Sequence, residues 1–500
     1  MNPPMKRRLN SWDVGWRIGD AHEPRGGPLW VPWDRTAGVI GPQGSGKTLD
    51  LLTPALLGAP GAALVTLTKV EDLLLSLTER STGDRPCVVL DPFGLAEGIA
   101  EELVWDPISG CVDPKIAERR AKAFTAGTVK GAINGGTGDE AARFYSAESA
   151  KVLQGYFHAA ALTGKTLEDV LRWVANPTAA TEPSEILRRH PHAEPFWQGL
   201  LHGALHGDSR TAGNTITTVQ QAVSLFFQGD VRRRCIPAAG KSGTDLAHII
   251  RRHGTIYLLG REDPYASASP LMTAVAEHVL DTGLLAANAS PWGGRLCPPL
   301  VSVLDELPST APLPTLRTRM ANERALGLSF IWAAQTRPQL TSIFGEHEAR
   351  ALLGLTNALV MFGGSKDVSF NQEISDLLGT VRVGRVTHNS GASHGGGRSY
   401  SGDDIPIMRP EEVRQLPERQ ALVIAENGKP IIAKLHRCVE GKAGARLLTQ
   451  QGTLRARLTN DRRQVITPEA RASAALAEAR RLGFIEPNPA DRERDGSHVQ

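Results

Sequence analysis

The run Gly41-Pro-Gln-Gly-Ser-Gly46-Lys47-Thr48 combines residue types at a spacing that can hold phosphate. Glycines let successive backbone N–H groups converge on phosphate oxygens, a lysine reaches the β- and γ-phosphates, and a threonine hydroxyl can ligate Mg²⁺. Gly41, Gly44, Ser45, Gly46, Lys47 and Thr48 are therefore the expected nucleotide contacts, with ATP and Mg²⁺ as the expected cofactors. The apolar run 36–40 precedes this motif and a helical pattern over 47–57 follows it, which is the context a P-loop requires. A bare turn is the alternative, and it leaves the match at every fixed position unexplained.

Such a loop needs an acid near the metal. Val88-Val-Leu-Asp91 and Val301-Ser-Val-Leu-Asp305-Glu306 both end an apolar run in aspartate, but only the second carries an adjacent carboxylate. Asp305 is expected to orient the Mg²⁺ shell with Thr48, and Glu306 to polarise the attacking water. Asp91-Pro92 reads as a strand-end turn. Gln335, at the tip of the apolar run 328–333, could sense the γ-phosphate, although a strand-end glutamine is more often a loop contact. Arg324 lies on the expected helix before that run, where an arginine by itself is usually solvated.

The elements that must position these residues are short runs rich in Val, Ile and Leu: 36–40, 62–67, 87–90, 255–259, 300–304, 328–333 and 358–362. Continuous apolarity marks strands buried on both faces, so the pattern predicts an α/β fold with a mainly parallel central sheet. Helical patterns over 47–57, 70–78 and 270–287 lie between the runs. From 113 to 240 the strand signal stops, and helical periodicity covers 117–124, 140–162, 166–175, 184–189 and 215–228. Phe144, Val152, Tyr156, Phe157 and Ala160 form one apolar face, and Thr166 with Asp169 reads as a helix-start cap. The expected organisation is an N-terminal segment (1–35), a nucleotide-binding domain (36–112 and 241–436), an inserted all-α domain (113–240) and a basic tail (437–500). The Gly- and Ser-rich run 380–404 is expected to be a surface loop. In the tail, 470–482 is expected to be helical and 486–500 disordered. Strands pairing near the end are expected at 421–424 and 430–435.

Composition bounds the function. With 41% hydrophobic and 22% charged residues in 500, the chain is a folded globular protein and neither fibrous nor largely disordered. A formal charge of only +3 provides no global field for nucleic acid, so such contact needs a local patch or an assembled ring. Cys87, Cys111, Cys235, Cys297 and Cys438 form no C-x-x-C pair, which points to a reducing, cytoplasmic compartment and away from zinc. Neither a signal peptide nor a membrane span is evident.

Taken in order, these motifs resemble the type IV secretion coupling proteins of the TraG/TraD family, the ring ATPases that bring DNA to a conjugation channel. The resemblance runs over 29–437. It rests on the P-loop, Thr68-Lys69, Asp91-Pro92, Trp105-Asp106-Pro107, Leu304-Asp305-Glu306-Leu307-Pro308 and Ala334-Gln335-Thr336-Arg337-Pro338-Gln339-Leu340. Gly364, Asp367, Ile374-Ser375, Leu378-Gly379 and Met408-Arg409-Pro410-Glu411-Glu412-Val413 complete it. It implies a RecA-like nucleotide-binding domain, a hexameric homo-oligomer, and a helical insertion that meets relaxosome or effector substrates. Lys47 and Thr48 match the family's phosphate and metal residues, Asp305 and Glu306 its acids, and Gln335 its phosphate-sensing glutamine. Arg324 matches the arginine offered to a neighbouring subunit's nucleotide. The implied partners are DNA, single-stranded with a relaxase, and the components of the secretion channel. Family members carry transmembrane helices before the P-loop, whereas the 40 residues before Gly41 form no span. The chain is thus expected at the cytoplasmic face of the membrane, through a partner, an anchor on another chain, or one removed by truncation. Arg317 and Arg319 are possible channel contacts or ordinary surface arginines. A segregation or packaging translocase, and a nucleotide-controlled substrate receptor, are the alternative functions.

Overall fold

A computed structural model describes residues 10–128, 138–260, 267–389 and 397–463, with 476, 478 and 479. The strands are β1 (Gly15–Glu23), β2 (Pro28–Pro32), β3 (Ala37–Ile40), β4 (Ala63–Leu67), β5 (Cys87–Leu90), β6 (Glu101–Glu102), β7 (Thr255–Leu259), β8 (Leu300–Leu304), β9 (Leu328–Ala334), β10 (Ala358–Phe362), β11 (Thr380–Asn389), β12 (Gly397–Pro406), β13 (Gln420–Ala425) and β14 (Ile431–Lys434). One twelve-stranded sheet has the order β2-β1-β14-β13-β10-β3-β9-β8-β4-β7-β5-β6. From β10 to β6 every neighbouring pair is parallel, and from β10 outward to β2 the pairs are antiparallel.

Successive strand residues enter opposite cores. Val39, Val65, Val303 and Ile331 join one apolar cluster, and Ile40, Leu64, Leu304 and Trp332 join the other. Burial on both faces explains why these strands read as unbroken apolar runs rather than alternating ones. The antiparallel pair β1 and β2 escaped the sequence reading because β1 holds two glycines (Gly15, Gly19) and three charged residues (Arg17, Asp20, Glu23). Gly15 and Gly19 are there because a Cβ would strike the carbonyl oxygens of Val31 and Lys434 at 2.5 and 2.3 Å.

Between β6 and β7 the described residues contain helices and no strand. The main ones are Pro114–Ala126, Gly138–Leu162, Leu167–Ala175, Glu182–Arg189, Trp197–His206 and Ser209–Val223. Val152, Tyr156, Phe157 and Ala160 are fully buried on the long helix, while Phe144 is 51% exposed because it precedes the part of the helix that the others cover. The Thr166–Asp169 capping box is present, with Asp169 Oδ2 accepting from the Thr166 amide at 2.8 Å. Trp197–His206 was not anticipated; Gly199 and Gly203 weaken its helical signal. These helices share one apolar cluster with a face of the sheet, through Phe124, Phe157 and Phe226.

One expectation needs correction, and one helix is added. The run 380–404 is not a loop: β11 and β12 pair antiparallel over ten positions as a separate two-stranded ribbon, with its tip, 390–396, outside the described residues. Val381, Val383 and Ile405 at its base are exposed, so these described side chains set no alternation that marks a strand. Within the expected tail, Gly441–Arg463 is a helix lying on the helix Val70–Arg80. Arg446 Nη2 pairs with Glu79 at 2.9 Å, and Gln450 and Gln451 donate to Glu79 Oε1 and the Glu71 carbonyl at 2.8 and 2.9 Å. Its apolar stripe is only Leu447, Leu454 and Leu458, too narrow to stand out among so many charges. The helix expected at 470–482 lies outside the described residues except at 476, 478 and 479, and 486–500 lies outside them altogether.

Candidate nucleotide-binding site

β3 runs through the middle of the sheet and delivers Gly41 to its C-terminal edge, where ligands bind in open α/β sheets. Space and conformation dictate the glycines there. A Cβ on Gly41 would meet Phe362 Cβ and Ser45 Oγ at 2.8 Å; Gly44 has φ +78° and Gly46 φ +102°, both left-handed. After the loop the chain makes a π-helical turn, Thr48–Leu52, and continues as the α-helix Thr53–Gly58. Lys47 is 6% exposed, and its Nζ donates to the carbonyls of Gly41 and Pro42 at 2.7 and 3.2 Å. Burial lowers its pKa, opposed by the charges of Glu306 and Asp305.

The acids arrive from β8, the strand next but one to β3, with β9 between them. Asp305 is buried at the end of β8; its Oδ2 accepts from Thr48 Oγ1 at 2.8 Å, and its carbonyl accepts from Thr66 Oγ1 at 2.9 Å. Burial raises its pKa against the hydrogen bond from Thr48 and the charge of Lys47. Glu306 has left-handed backbone at φ 49°, unusual for glutamate, and its carboxylate lies 3.8 Å from Lys47 Nζ. Asp91, the other aspartate at a strand end, lies outside this group: its Oδ2 accepts from the Ala96 amide at 2.6 Å in the turn after β5.

Gly44, Ser45, Gly46, Lys47, Thr48, Asp305 and Glu306 line one cleft of about 460 Å³, within the range of small-ligand sites, and Gly41 stands just outside its lining. Gln335 lines it from the end of β9, its backbone amide held by Gln339 Oε1 at 3.1 Å. Arg324 does not. It begins a 3₁₀ turn leading into β9, and its Nη1 donates to Asn357 Oδ1 at 2.9 Å beside Thr36, at the N-terminal edge of the sheet. The seven residues of β9 put it roughly 20 Å from the loop edge. Arg324 therefore cannot reach a nucleotide in its own cleft. Arg319, read as a possible channel contact, is 5% exposed and bound to Glu277, Asp281 and Glu323 at 2.8, 2.6 and 3.1 Å, so it is a core ion-pair residue. Arg317 is half exposed and paired with Glu348 at 2.7 Å.

The cleft also contains Gln43, Thr68, Lys69, Asp72 and Arg437, to which the sequence reading gave no site role. Thr68 and Lys69 follow β4 at the same C-terminal edge, a position from which a role could have been inferred. Asp72, on the first turn of the next helix, is raised to about 6 by burial and by the charge of Asp305. Arg437 follows the antiparallel strand β14, where no motif marks it.

The residues fit a magnesium nucleotide. Ser45 Oγ is buried without a hydrogen-bond partner among the described residues, and space opens beside Gly44 where nothing lies within 4 Å of a Cβ position. No group of three or more His, Cys, Asp or Glu among the described residues could hold a metal alone. Mg²⁺ here would need Thr48, Asp305 and substrate phosphates together, which is its usual mode of binding.

Residues 299–418 match a family model described as the TraM recognition site of TraD and TraG. No curated protein sequence matches. Among solved structures the chain is similar to the bacterial conjugative coupling protein TrwBdeltaN70 in an unbound form, at 20% identity and a TM-score of 0.59, covering 87% of this chain and 95% of that one. It is similar to the plasmid coupling protein TrwB with the ATP analogue ADPNP, at 19% identity and TM-score 0.56, covering 81% and 86%. It is also similar to TrwB with ADP and Mg²⁺, at 20% and 0.58, covering 87% and 96%. The resemblance to TraG/TraD-family coupling proteins is thereby borne out, in sequence over the segment that the family model spans and in fold over most of the chain.

Proposed function

We propose that this protein is a P-loop ATPase that couples ATP hydrolysis to delivery of conjugative DNA into a type IV secretion channel. The observation that carries the reading is the convergence of buried Lys47, the Thr48–Asp305 pair and Glu306 on one cleft at the strand ends. Lys47 would bind the β- and γ-phosphates, and Thr48 with Asp305 would hold Mg²⁺, which when bound neutralises charge that develops on the phosphates. Glu306 would take the proton of the attacking water, and Gln335 would orient that water or report the γ-phosphate. Arg324, barred from its own cleft, would act on the nucleotide of an adjacent subunit, which ties turnover to assembly.

The partners follow from the same reading. Single-stranded DNA with its relaxase would pass through a hexameric ring, gripped on its phosphates without sequence preference. The match of 299–418 to a TraM recognition site supports a relaxosome protein as the partner of that segment. No helix among the described residues is long and apolar enough to cross a membrane, so the reading locates the ring at the cytoplasmic face through a partner or an anchor. Electron microscopy with a non-hydrolysable ATP analogue and single-stranded DNA tests it. Six-fold rings with DNA in the channel are expected; monomers under those conditions, free of DNA, would overturn it.

A further inference from the structure

We propose that Arg437 is a second cationic contact for the nucleotide's phosphates, positioned by Asp50, so that the chain after the sheet completes the P-loop. The inference rests on the reading of the cleft as an ATP site. Arg437 is the third residue past β14, yet it lines the same cleft as Lys47. Its Nε donates to Asp50 Oδ1 at 2.8 Å, and Nη2 lies 3.5 Å from Oδ2. The Asp50 side chain is completely buried in the first turn after the loop. Both groups press on Gly46: a Cβ there would come within 2.3 Å of Asp50 Oδ2 and 3.3 Å of Arg437 Nη2. The guanidinium thus stands directly against the glycine whose neighbours cradle phosphate. The backbone is fixed too, since the Cys438 amide donates to the Leu49 carbonyl at 3.0 Å.

A simpler role is neutralisation of Asp50, because a buried carboxylate needs a cation. That role alone would not need the arginine to face the cleft. The Arg437 side chain keeps 24% exposure, Nη1 has no hydrogen-bond acceptor among the described residues, and its other acid, Glu418 at 3.7 Å, is a largely exposed rim residue. Asp50 aims the fork, and Nη1 is left to donate. The contact by Gly46 belongs to the α/β-phosphate side of a P-loop, common to ADP and ATP. Arg437 therefore contributes binding that substrate and transition state share, which alters Kd and KM rather than kcat.

Calorimetric titration of the full chain with Mg²⁺-ADP, alongside steady-state ATP hydrolysis, tests this. Arg437→Gln keeps a donor for Asp50 and so guards against misfolding; Arg437→Lys keeps the charge. In Arg437→Gln the Kd for ADP and the KM for ATP should rise together by about 10- to 100-fold, with kcat changing less than about threefold. Arg437→Lys should recover part of the loss, and Asp50→Asn should show the same KM-weighted loss, smaller in size. A lowered melting temperature with ADP affinity within about twofold of wild type would overturn the inference and leave Arg437 as a structural partner of Asp50. Failure of the wild-type protein to bind ADP or ATP would instead sink the ATP reading itself.

Discussion

Lys47 and Glu306 are 3.8 Å apart, yet the proposed mechanism gives them different work, and substitution separates the two roles. Lys47→Ala would remove the cation proposed to meet the phosphates and should weaken nucleotide binding along with turnover. Glu306→Gln keeps shape and hydrogen bonding but cannot accept a proton, so it should bind ATP and lower kcat by about 10²–10⁴-fold. Phosphate release at saturating ATP checks both, and a Glu306→Gln protein at full rate would mean that another acid, Asp72 foremost, takes the proton. At this scale the sequence was legible where chemistry is written in a local motif. Gly41–Thr48 and Asp305–Glu306 each lie within one strand-to-loop junction, and they meet as their types require. Asp72 and Arg437 were not legible, because a carboxylate on a helix turn and an arginine after an antiparallel strand reach the cleft only through tertiary packing.

At the scale of elements, the motif Trp105-Asp106-Pro107 ties the insertion to the helix Ser269–Asn288. Trp105 Nε1 donates to His278 Nδ1 at 2.7 Å, its ring stacks near Phe124, and the Arg120 guanidinium lies 5.1 Å above it. Burial, aided by the charge of Arg120, lowers the His278 pKa to about 4. An unfolded histidine takes up a proton near pH 6.5 and the folded one only near 4, so acid favours the unfolded chain between those values. This contribution is complete above pH 6.5 and fades as the pH falls to 4. The ring retains partial exposure, so the change is on the order of 2 kcal/mol. Denaturant unfolding of His278→Gln and wild type should show a stability gap that narrows by that amount from pH 7 to 4.5; a constant gap would remove His278 as the cause. Gly38 supplies a second test. A Cβ there would sit 2.5 Å from the ring of fully buried Trp332, so Gly38→Ala should cost about 1–3 kcal/mol by overpacking, read from the same unfolding curves. The parallel strands were legible because burial on both faces leaves continuous apolar runs. The β11–β12 ribbon and the helix Gly441–Arg463 were not, since the described apolar side chains of the first are exposed and set no alternation, and the second buries only a narrow stripe.

For the whole molecule, the separation of Arg324 from its own cleft has a consequence for assembly. Arg324→Ala should lose on the order of 10³-fold or more in hydrolysis, and mixing it with an equally inactive Lys47→Ala protein should restore part of the rate. Mixed rings would contain interfaces where one subunit supplies the intact P-loop and the next the arginine; no recovery on mixing would confine Arg324 to its bond with Asn357. If the protein grips DNA as proposed, its near-neutral charge of +3 makes the same demand, because hold on a phosphate backbone would have to come from several subunits converging. The most direct test of the account is Mg²⁺-dependent ATP hydrolysis by the purified protein, titrated with single-stranded DNA and set beside Glu306→Gln. The account predicts hydrolysis that rises with DNA and is absent from the variant; a wild-type rate no higher than that of Glu306→Gln, with or without DNA, would contradict it.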